Sequence, residues 1–271
     1  MQNLDLNSSV RLHTGREMPL LGLGTWQLTD DTAGTVAAAL KLGYPMIDTS
    51  GDYGTQAGIA DGIAKSGKSR NEIFLVTKVE KDEDAHDSAQ RSLVELNTDH
   101  ADLLLIHSPP SDEQTSIDLW RGMIQSKARG LATDIGVSNY SQAQIDALIA
   151  ETGETPVVNQ IEWSPFGFSD EMLNYAQEKG IVLQAYSPLT RDTRLDDETL
   201  RDIAKRHGKS PAQVLIRWDM QRGVVPVPKA NRREHLAQNI DVFDFDLSRA
   251  EMKDLEALNE RYSAMGKLPY N

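Results

Sequence analysis

Four ionisable side chains in this 271-residue chain, Asp48, Tyr53, Lys78 and His107, fall near the ends of consecutive strand-like runs. A tyrosine is a poor proton donor near neutrality, because its hydroxyl ordinarily titrates at roughly 10. A nearby ammonium stabilises the phenolate and lowers that value, and a carboxylate beside the ammonium keeps the lysine charged and in place. An imidazole at the same spot can orient or polarise a carbonyl. Together these groups could protonate a developing alkoxide, one half of a carbonyl reduction. The other half is a hydride, which protein side chains cannot supply, so a nicotinamide cofactor is implied. Taken singly, each residue also has a plainer reading: Asp48 as a helix cap, His107 as a satisfied core histidine, Lys78 as a surface charge.

The elements that must position these groups alternate along the chain. Short β-branched or leucine-rich runs predict strands at 21–25, 45–49, 73–78, 102–107, 133–138, 157–161, 181–186 and 224–228. Helical patterns lie between them, near 31–42, 55–65, 84–96, 113–129, 141–150, 170–179 and 231–239. Two helices, 196–207 and 211–222, follow the seventh strand, and a last one is expected over 248–261. The segment 4–18 reads as a hairpin turning at Thr14-Gly15. Repeated βα units imply parallel strands with right-handed crossovers, and eight of them fit a closed (β/α)8 TIM barrel better than an open sheet. No linker-like or low-complexity stretch interrupts the chain, so residues 1–271 read as one barrel domain. In such barrels the chemistry sits at the carboxyl ends of the strands. Asp48 ends the second strand with Tyr53 in its loop, Lys78 ends the third and His107 the fourth. Ser138 and Asn139 close the fifth, Gln160 the sixth, Tyr186 and Ser187 the seventh, and Lys229 the eighth. Independent polar residues would not all gather at one mouth.

The segments IDTSGDYG (47–54), LVTKV (75–79) and LLIHSP (104–109) resemble the catalytic segments of the aldo-keto reductases. LGLGTW (21–26), GVSNY (136–140), VNQIE (158–162), AYSPL (185–189) and VPK (227–229) resemble further segments of that family, in family order across almost the whole chain. Length and the short C-terminal tail look most like the small prokaryotic diketogluconate and methylglyoxal reductases. The resemblance implies an NAD(P)H-dependent reductase of small aldehydes, ketones, dicarbonyls or keto-sugars, with Tyr53 as proton donor. It implies nicotinamide recognition by Ser138, Asn139 and Gln160, with Tyr186 stacked on the ring and Thr25 nearby. Ser187, Pro188 and Leu189 would follow the pyrophosphate. Trp26, His107 and Trp163 would line the substrate pocket, although packing at the rim is an equal reading for Trp163. Where the family often has His-Trp-Pro, this chain has His107-Ser108-Pro109, which implies a more open or more polar pocket. A non-enzymatic, cofactor-binding subunit of the same fold is the alternative.

The stretch Lys229-Ala230-Asn231-Arg232-Arg233-Glu234-His235 is basic within an acidic protein, and at a helix start it forms a favourable anion site. The resemblance places Lys229 on the phosphate of the adenine ribose and Asn239 on the adenine. Ala230 stands where a phosphate-binding Ser is usual, His235 where an Arg is usual, and Gln238 where a Glu is usual. A neutral imidazole cannot make a planar two-point clamp, though Arg232 could compensate. NADPH is the expected cofactor, with weakened discrimination against NADH.

Forty-one acidic residues against 28 basic give a net charge of −13, which disfavours nucleic-acid binding. No stretch approaches the roughly 20 apolar residues of a membrane span. The first residues lack the basic and apolar regions of a signal peptide, so a cytoplasmic monomer acting on a small carbonyl compound is expected. With no cysteine, disulfides, thiol nucleophiles and cysteine-ligated zinc are excluded. The six histidines show no HxH or HExxH spacing, and no metal is expected. Gly62 to Ser69 matches the phosphate-loop pattern GxxxxGK(S/T), but a helix precedes it and a strand follows, the reverse of the order that motif needs. A glycosidase would need paired carboxylates at the mouth, for which Asp48 and Glu162 are the candidates.

Overall fold

Eight of the aliphatic runs form parallel strands in register, each hydrogen-bonded to the next in chain order. The computed structural model describes residues 4–28, 30–266 and 268. A hairpin of β1 (Ser9–Arg11) and β2 (Glu17–Pro19), with Val10 opposite Met18, leads into the barrel. The barrel strands are β3 (Leu23–Gly24), β4 (Met46–Asp48), β5 (Phe74–Val79), β6 (Ala101–Ile106), β7 (Ala132–Ser138), β8 (Val158–Glu162), β9 (Val182–Tyr186) and β10 (Val225–Pro226). The sheet closes on itself: the Gly22 and Gly24 N–H groups donate to the Pro226 and Pro228 carbonyls, each at 3.1 Å. Glycine is required there, since a Cβ on Gly24 would lie 2.6 Å from the Val227 carbonyl oxygen.

The connecting helices are α1 (Thr32–Leu42), α2 (Gln56–Ser66), α3 (Ala85–Glu95), α4 (Glu113–Ala128), α5 (Gln142–Thr152) and α6 (Asp170–Lys179). They are followed by α7 (Glu198–His207), α8 (Pro211–Gln221), α9 (Arg233–Ile240) and α10 (Arg249–Glu256). Strand side chains are buried on both faces, against the barrel interior and the helical layer, as a parallel sheet requires. The hairpin plugs the amino-terminal face: Met18 is fully buried, and Arg16 donates to Asp102 (3.0 Å) and Asp134 (3.4 Å) at the starts of β6 and β7. Among the described residues no helix is long and apolar enough to cross a membrane.

Two expectations need comment. The helix predicted over 248–261 stops at Glu256. Beyond it the Glu260 and Tyr262 N–H groups donate to the Phe166 carbonyl (3.1 and 2.9 Å), and Asn259 Nδ2 donates to that of Phe168 (3.0 Å). These bonds to the loop after β8 replace the helical ones, and they rely on Gly167, whose absent Cβ would otherwise meet Tyr262. The phosphate-loop look-alike is, as its order implies, a helix end and a turn. Gly67 caps α2 with φ +78°, and exposed Lys68 pairs with Glu72 at 2.9 Å. This turn leads into the start of β5, so it lies on the barrel face opposite the mouth.

Asp219 on α8 is fully buried, and neither carboxyl oxygen has a hydrogen-bond partner among the described residues. Burial pushes its carboxyl well above the ordinary carboxylate range. A raised folded-state value means that the native state holds this proton more tightly than the unfolded chain does. Stability is therefore greatest below the unfolded value, and is lost as pH rises towards and through the folded one. Asp219→Asn, which cannot ionise, should raise Tm relative to wild type at pH 8 and much less at pH 5. Each kcal/mol gained should appear as roughly 2–4 °C in a melting curve. A difference independent of pH would mean that the native Asp219 carboxyl is already ionised at pH 5, as in the unfolded chain, and is not raised by burial.

Candidate active site

The ends of β4 and β5 create the buried charge pair on which the site is built. Lys78 Nζ donates to Asp48 Oδ1 at 2.9 Å and to the Thr49 carbonyl at 2.8 Å, with both side chains almost wholly out of solvent. Asp48 Oδ2 accepts from Gln160 Nε2 at 2.7 Å, which ties the pair to β8. The same nitrogen donates to Gln184 Oε1 at 2.6 Å on β9. Burial disfavours the Lys78 ammonium, but Asp48 and Tyr53 outweigh it and hold the lysine above its usual value. A buried ion pair with its remaining lone pairs engaged is the arrangement that survives desolvation.

Tyr53 lies in a short 3-10 turn, Gly51–Tyr53, that sequence periodicity did not mark. Its ring faces Lys78, with Nζ 5.1 Å from the ring centroid. Its hydroxyl is 3.5 Å from His107 Nε2, and the two rings meet edge to face at 5.6 Å. Burial raises the Tyr53 hydroxyl above the ordinary phenol value, and Lys78 only partly draws it back. The expectation that the lysine lowers the tyrosine is thus right in sign, but burial is the larger effect. At neutral pH the hydroxyl keeps its proton, the form an acid must have before it acts.

His107 follows β6 and is fixed from several sides. Nδ1 lies 2.7 Å from Glu80 Oε1, which also accepts from Ser50 Oγ at 3.0 Å, and Asp52 Oδ1 is 3.5 Å away. Asn139 Nδ2 donates to the His107 carbonyl at 3.1 Å. Glu80, Asp52 and Ser50 were not among the residues picked out from sequence. Glu80 lies two residues beyond Lys78, where strand periodicity continues the same face, and that was the available signal. Burial opposes the Glu80 charge, but His107 and Ser50 more than compensate and hold this carboxyl below its usual value.

Most of the expected cofactor residues line one continuous trough, but Ser138, Asn139 and Gln160 are not among its lining residues, and Ser138 and Gln160 are almost wholly buried. A cleft of about 350 Å³ runs from Asp48 past Thr25, Trp26, Tyr186, Ser187, Pro188 and Leu189 to Lys229. A second, of about 570 Å³, continues from Leu189 and Lys229 along Ala230, Asn231, Arg232, His235, Gln238 and Asn239. Tyr186 OH donates to Asn139 Oδ1 (2.8 Å), and Asn139 takes the left-handed backbone, φ +65°, that brings its amide there. Ser138 Oγ donates to the Gln160 carbonyl at 2.8 Å. The start of α9 differs from most others: among the described residues eight of ten α-helices are capped by a Ser or Asp side chain, while α9 has Arg232 at its N-cap and no side-chain cap. Its first amides remain available to an anion. Arg191 and Arg201 also line the trough and were not foreseen; Arg191 stacks on Trp26 at 4.2 Å.

One of the weaker expectations changes, and a rejected reading stays rejected. Trp163 is wholly buried, packed tilted on Phe168 at 5.8 Å within the core behind the mouth, so its position supports packing and not a pocket wall. Trp26 is partly exposed at the mouth. The carboxylates considered for glycosidase chemistry are engaged elsewhere. Asp48 is held by Lys78 and Gln160, and Glu162 accepts from Ser263 Oγ and the Ala264 N–H, both at 2.6 Å.

Residues 20–260 match the family model described as Aldo/keto reductase family. A protein of Bacillus subtilis (strain 168) named glyoxal reductase is 38% identical over 261 residues, 94% of each chain. The solved aldo/keto reductase from Brucella melitensis is 38% identical with a TM-score of 0.88, covering 93% of this chain and 99% of that one. The Bombyx mori aldo-keto reductase solved in complex with NADP is 32% identical with a TM-score of 0.89, covering 95% and 94%. With the family model spanning nearly the whole barrel, the chain belongs to the aldo/keto reductase family.

Proposed function

We propose that this protein reduces the carbonyl group of small aldehydes, ketones, dicarbonyls or keto-sugars with NAD(P)H, and that Tyr53 delivers the proton. The observation that carries this reading is the convergence of the Tyr53 hydroxyl, His107 Nε2 and the buried Lys78–Asp48 pair where the trough begins. A carbonyl oxygen placed between Tyr53 and His107 meets two polar groups at once, and such contacts shorten when a reacting complex forms. As charge grows on that oxygen the Tyr53 proton moves to it, and Lys78, held charged by Asp48, stabilises the phenolate left behind. Burial holds water away from this exchange and strengthens the lysine's field.

The trough fits an extended dinucleotide. Tyr186, hydrogen-bonded to Asn139, lines its inner end, Ser187, Pro188 and Leu189 its middle, and Lys229, Asn231, Arg232 and Asn239 its outer end beside the open amides of α9. When bound there, the nicotinamide cofactor supplies the hydride. A panel of carbonyls headed by glyoxal and methylglyoxal, assayed with NADPH and with NADH, tests the reading. Turnover of several members with NADPH is expected, and none with either cofactor would reject it.

Cofactor preference rests on the outer end. His235 is exposed on the trough where a guanidinium could instead make a charge-assisted two-point contact. His235→Arg should tighten NADPH binding by about 1.5 kcal/mol, the scale of hydrogen bonds to charged groups, and leave NADH nearly unchanged. Arg232→Ala should weaken NADPH selectively. Dissociation constants from quenching of tryptophan fluorescence would show this, and equal shifts for both cofactors would mean that the segment does not read the phosphate.

A further inference from the structure

The tetrad leaves two carboxylates at the mouth unaccounted for. Lys78 is neutralised by Asp48 inside the barrel, so that pair adds no net charge to the mouth. Asp52 and Glu80 lie outside it, partly exposed, with side chains 46% and 30% accessible. One side-chain atom from each of Asp52, Glu80 and His107 falls within 4.8 Å of the others, so both acids converge on the imidazole that faces the carbonyl position. Their ion-pair contacts among the described residues are to His107 alone.

We propose that Asp52 and Glu80 determine specificity in this active site: they admit uncharged carbonyl compounds, including hydroxylated ones, and reject those carrying a carboxylate next to the carbonyl. The inference rests on the reductase reading above and names the substrate class within it. Both acids contact His107 Nδ1 while Nε2 faces Tyr53, so a carbonyl oxygen placed there lies about one imidazole ring from their charge, and a substituent on the carbonyl carbon sits within their field. A carboxylate there meets like charge in a partly desolvated site, where repulsion is stronger than in water. A hydroxyl, by contrast, can donate to either acid. The Glu80 carboxyl, held below its usual value by His107 and Ser50, stays ionised at neutral pH. Two cations oppose them: Arg91, in the cleft shared by Asp52 and Glu80 but paired with Glu83 at 2.6 Å, and Arg191, whose guanidinium stacks on Trp26 and could attract an anion. Arg191 lines the cofactor trough beside Asp192 and not the cleft occupied by Asp52 and Glu80.

The test is the ratio of kcat/KM for glyoxylate to that for methylglyoxal, measured with NADPH in wild type, Asp52→Asn, Glu80→Gln and the double variant. Comparing variants with wild type cancels the intrinsic reactivities of the two aldehydes. Wild type should prefer methylglyoxal. Each single variant should raise the ratio roughly 3- to 10-fold, mainly through KM for glyoxylate, with a larger rise in the double variant and a smaller difference at high salt. Asp52→Asn alters an exposed side chain and keeps the test open should Glu80→Gln fold poorly. A ratio unmoved by Asp52→Asn and by the double variant, or a wild-type preference for glyoxylate that Arg191→Met abolishes, overturns the proposal while leaving the reductase reading intact. Wild type inactive on the whole carbonyl panel would overturn both.

Discussion

Tyr53→Phe should lower carbonyl turnover about 100-fold or more, the usual loss when a positioned acid is removed, while NADPH binding survives. The substitution keeps the ring against Lys78 and His107 and takes away only the hydroxyl that lies 3.5 Å from His107 Nε2. Packing should therefore persist, and an unchanged Tm would separate loss of the proton from loss of fold. The affinity for NADPH should be nearly that of wild type, because the trough begins beyond this side chain. Near-normal turnover in the variant, under conditions where the chemical step limits the rate, would remove Tyr53 from the role of donor.

Lys78→Met should have the next largest effect, and it should act on stability as well as rate. Removing the ammonium leaves Asp48 buried, with Gln160 as its remaining donor. Breaking a buried pair in this way commonly costs about 3–5 kcal/mol, so a clear fall in Tm is expected. Turnover should also drop sharply, because the phenolate would form without its counter-charge. Tyr53 should titrate still higher when followed by its ultraviolet difference spectrum, since the one strong influence lowering it is gone. Combined with Tyr53→Phe, the rate loss should fall well short of the sum of the single effects in free energy, as for groups serving one step. Additive losses would assign Lys78 a separate task.

The candidate site was largely legible in the sequence because a parallel barrel converts chain order into position. Each strand end contributes to one mouth, so Asp48, Lys78, His107, Ser138 and Tyr186 could be placed together from strand positions alone. The eight expected strands all form, though β3 and β10 shrink to two residues each where the barrel closes through Gly22 and Gly24. What depends on backbone irregularity was harder to see. The 3-10 turn that presents Tyr53 carries no periodic signal, and the early end of α10 depends on a contact with Phe166 that is distant in sequence. Trp163 shows the limit of reading residue type alone, since an indole after a strand suits a pocket wall or a core equally until its neighbour Phe168, itself packed on Trp218, is known. Glu80 and Asp52 were missed because their significance lies in a shared distance to His107, and that emerges only when the loops after β4 and β5 are folded against each other.

The claim that Tyr53 protonates a carbonyl reduced at this mouth is tested most directly by a single-turnover experiment. Enzyme in excess is mixed with methylglyoxal and NADPH carrying deuterium at the transferable C4 position, and the alcohol product is followed by mass spectrometry. Wild type should form alcohol with one deuterium on the former carbonyl carbon, and Tyr53→Phe should form the same labelled product about 100-fold or more slowly. Product without deuterium, or labelled product appearing equally fast from both proteins, would contradict it.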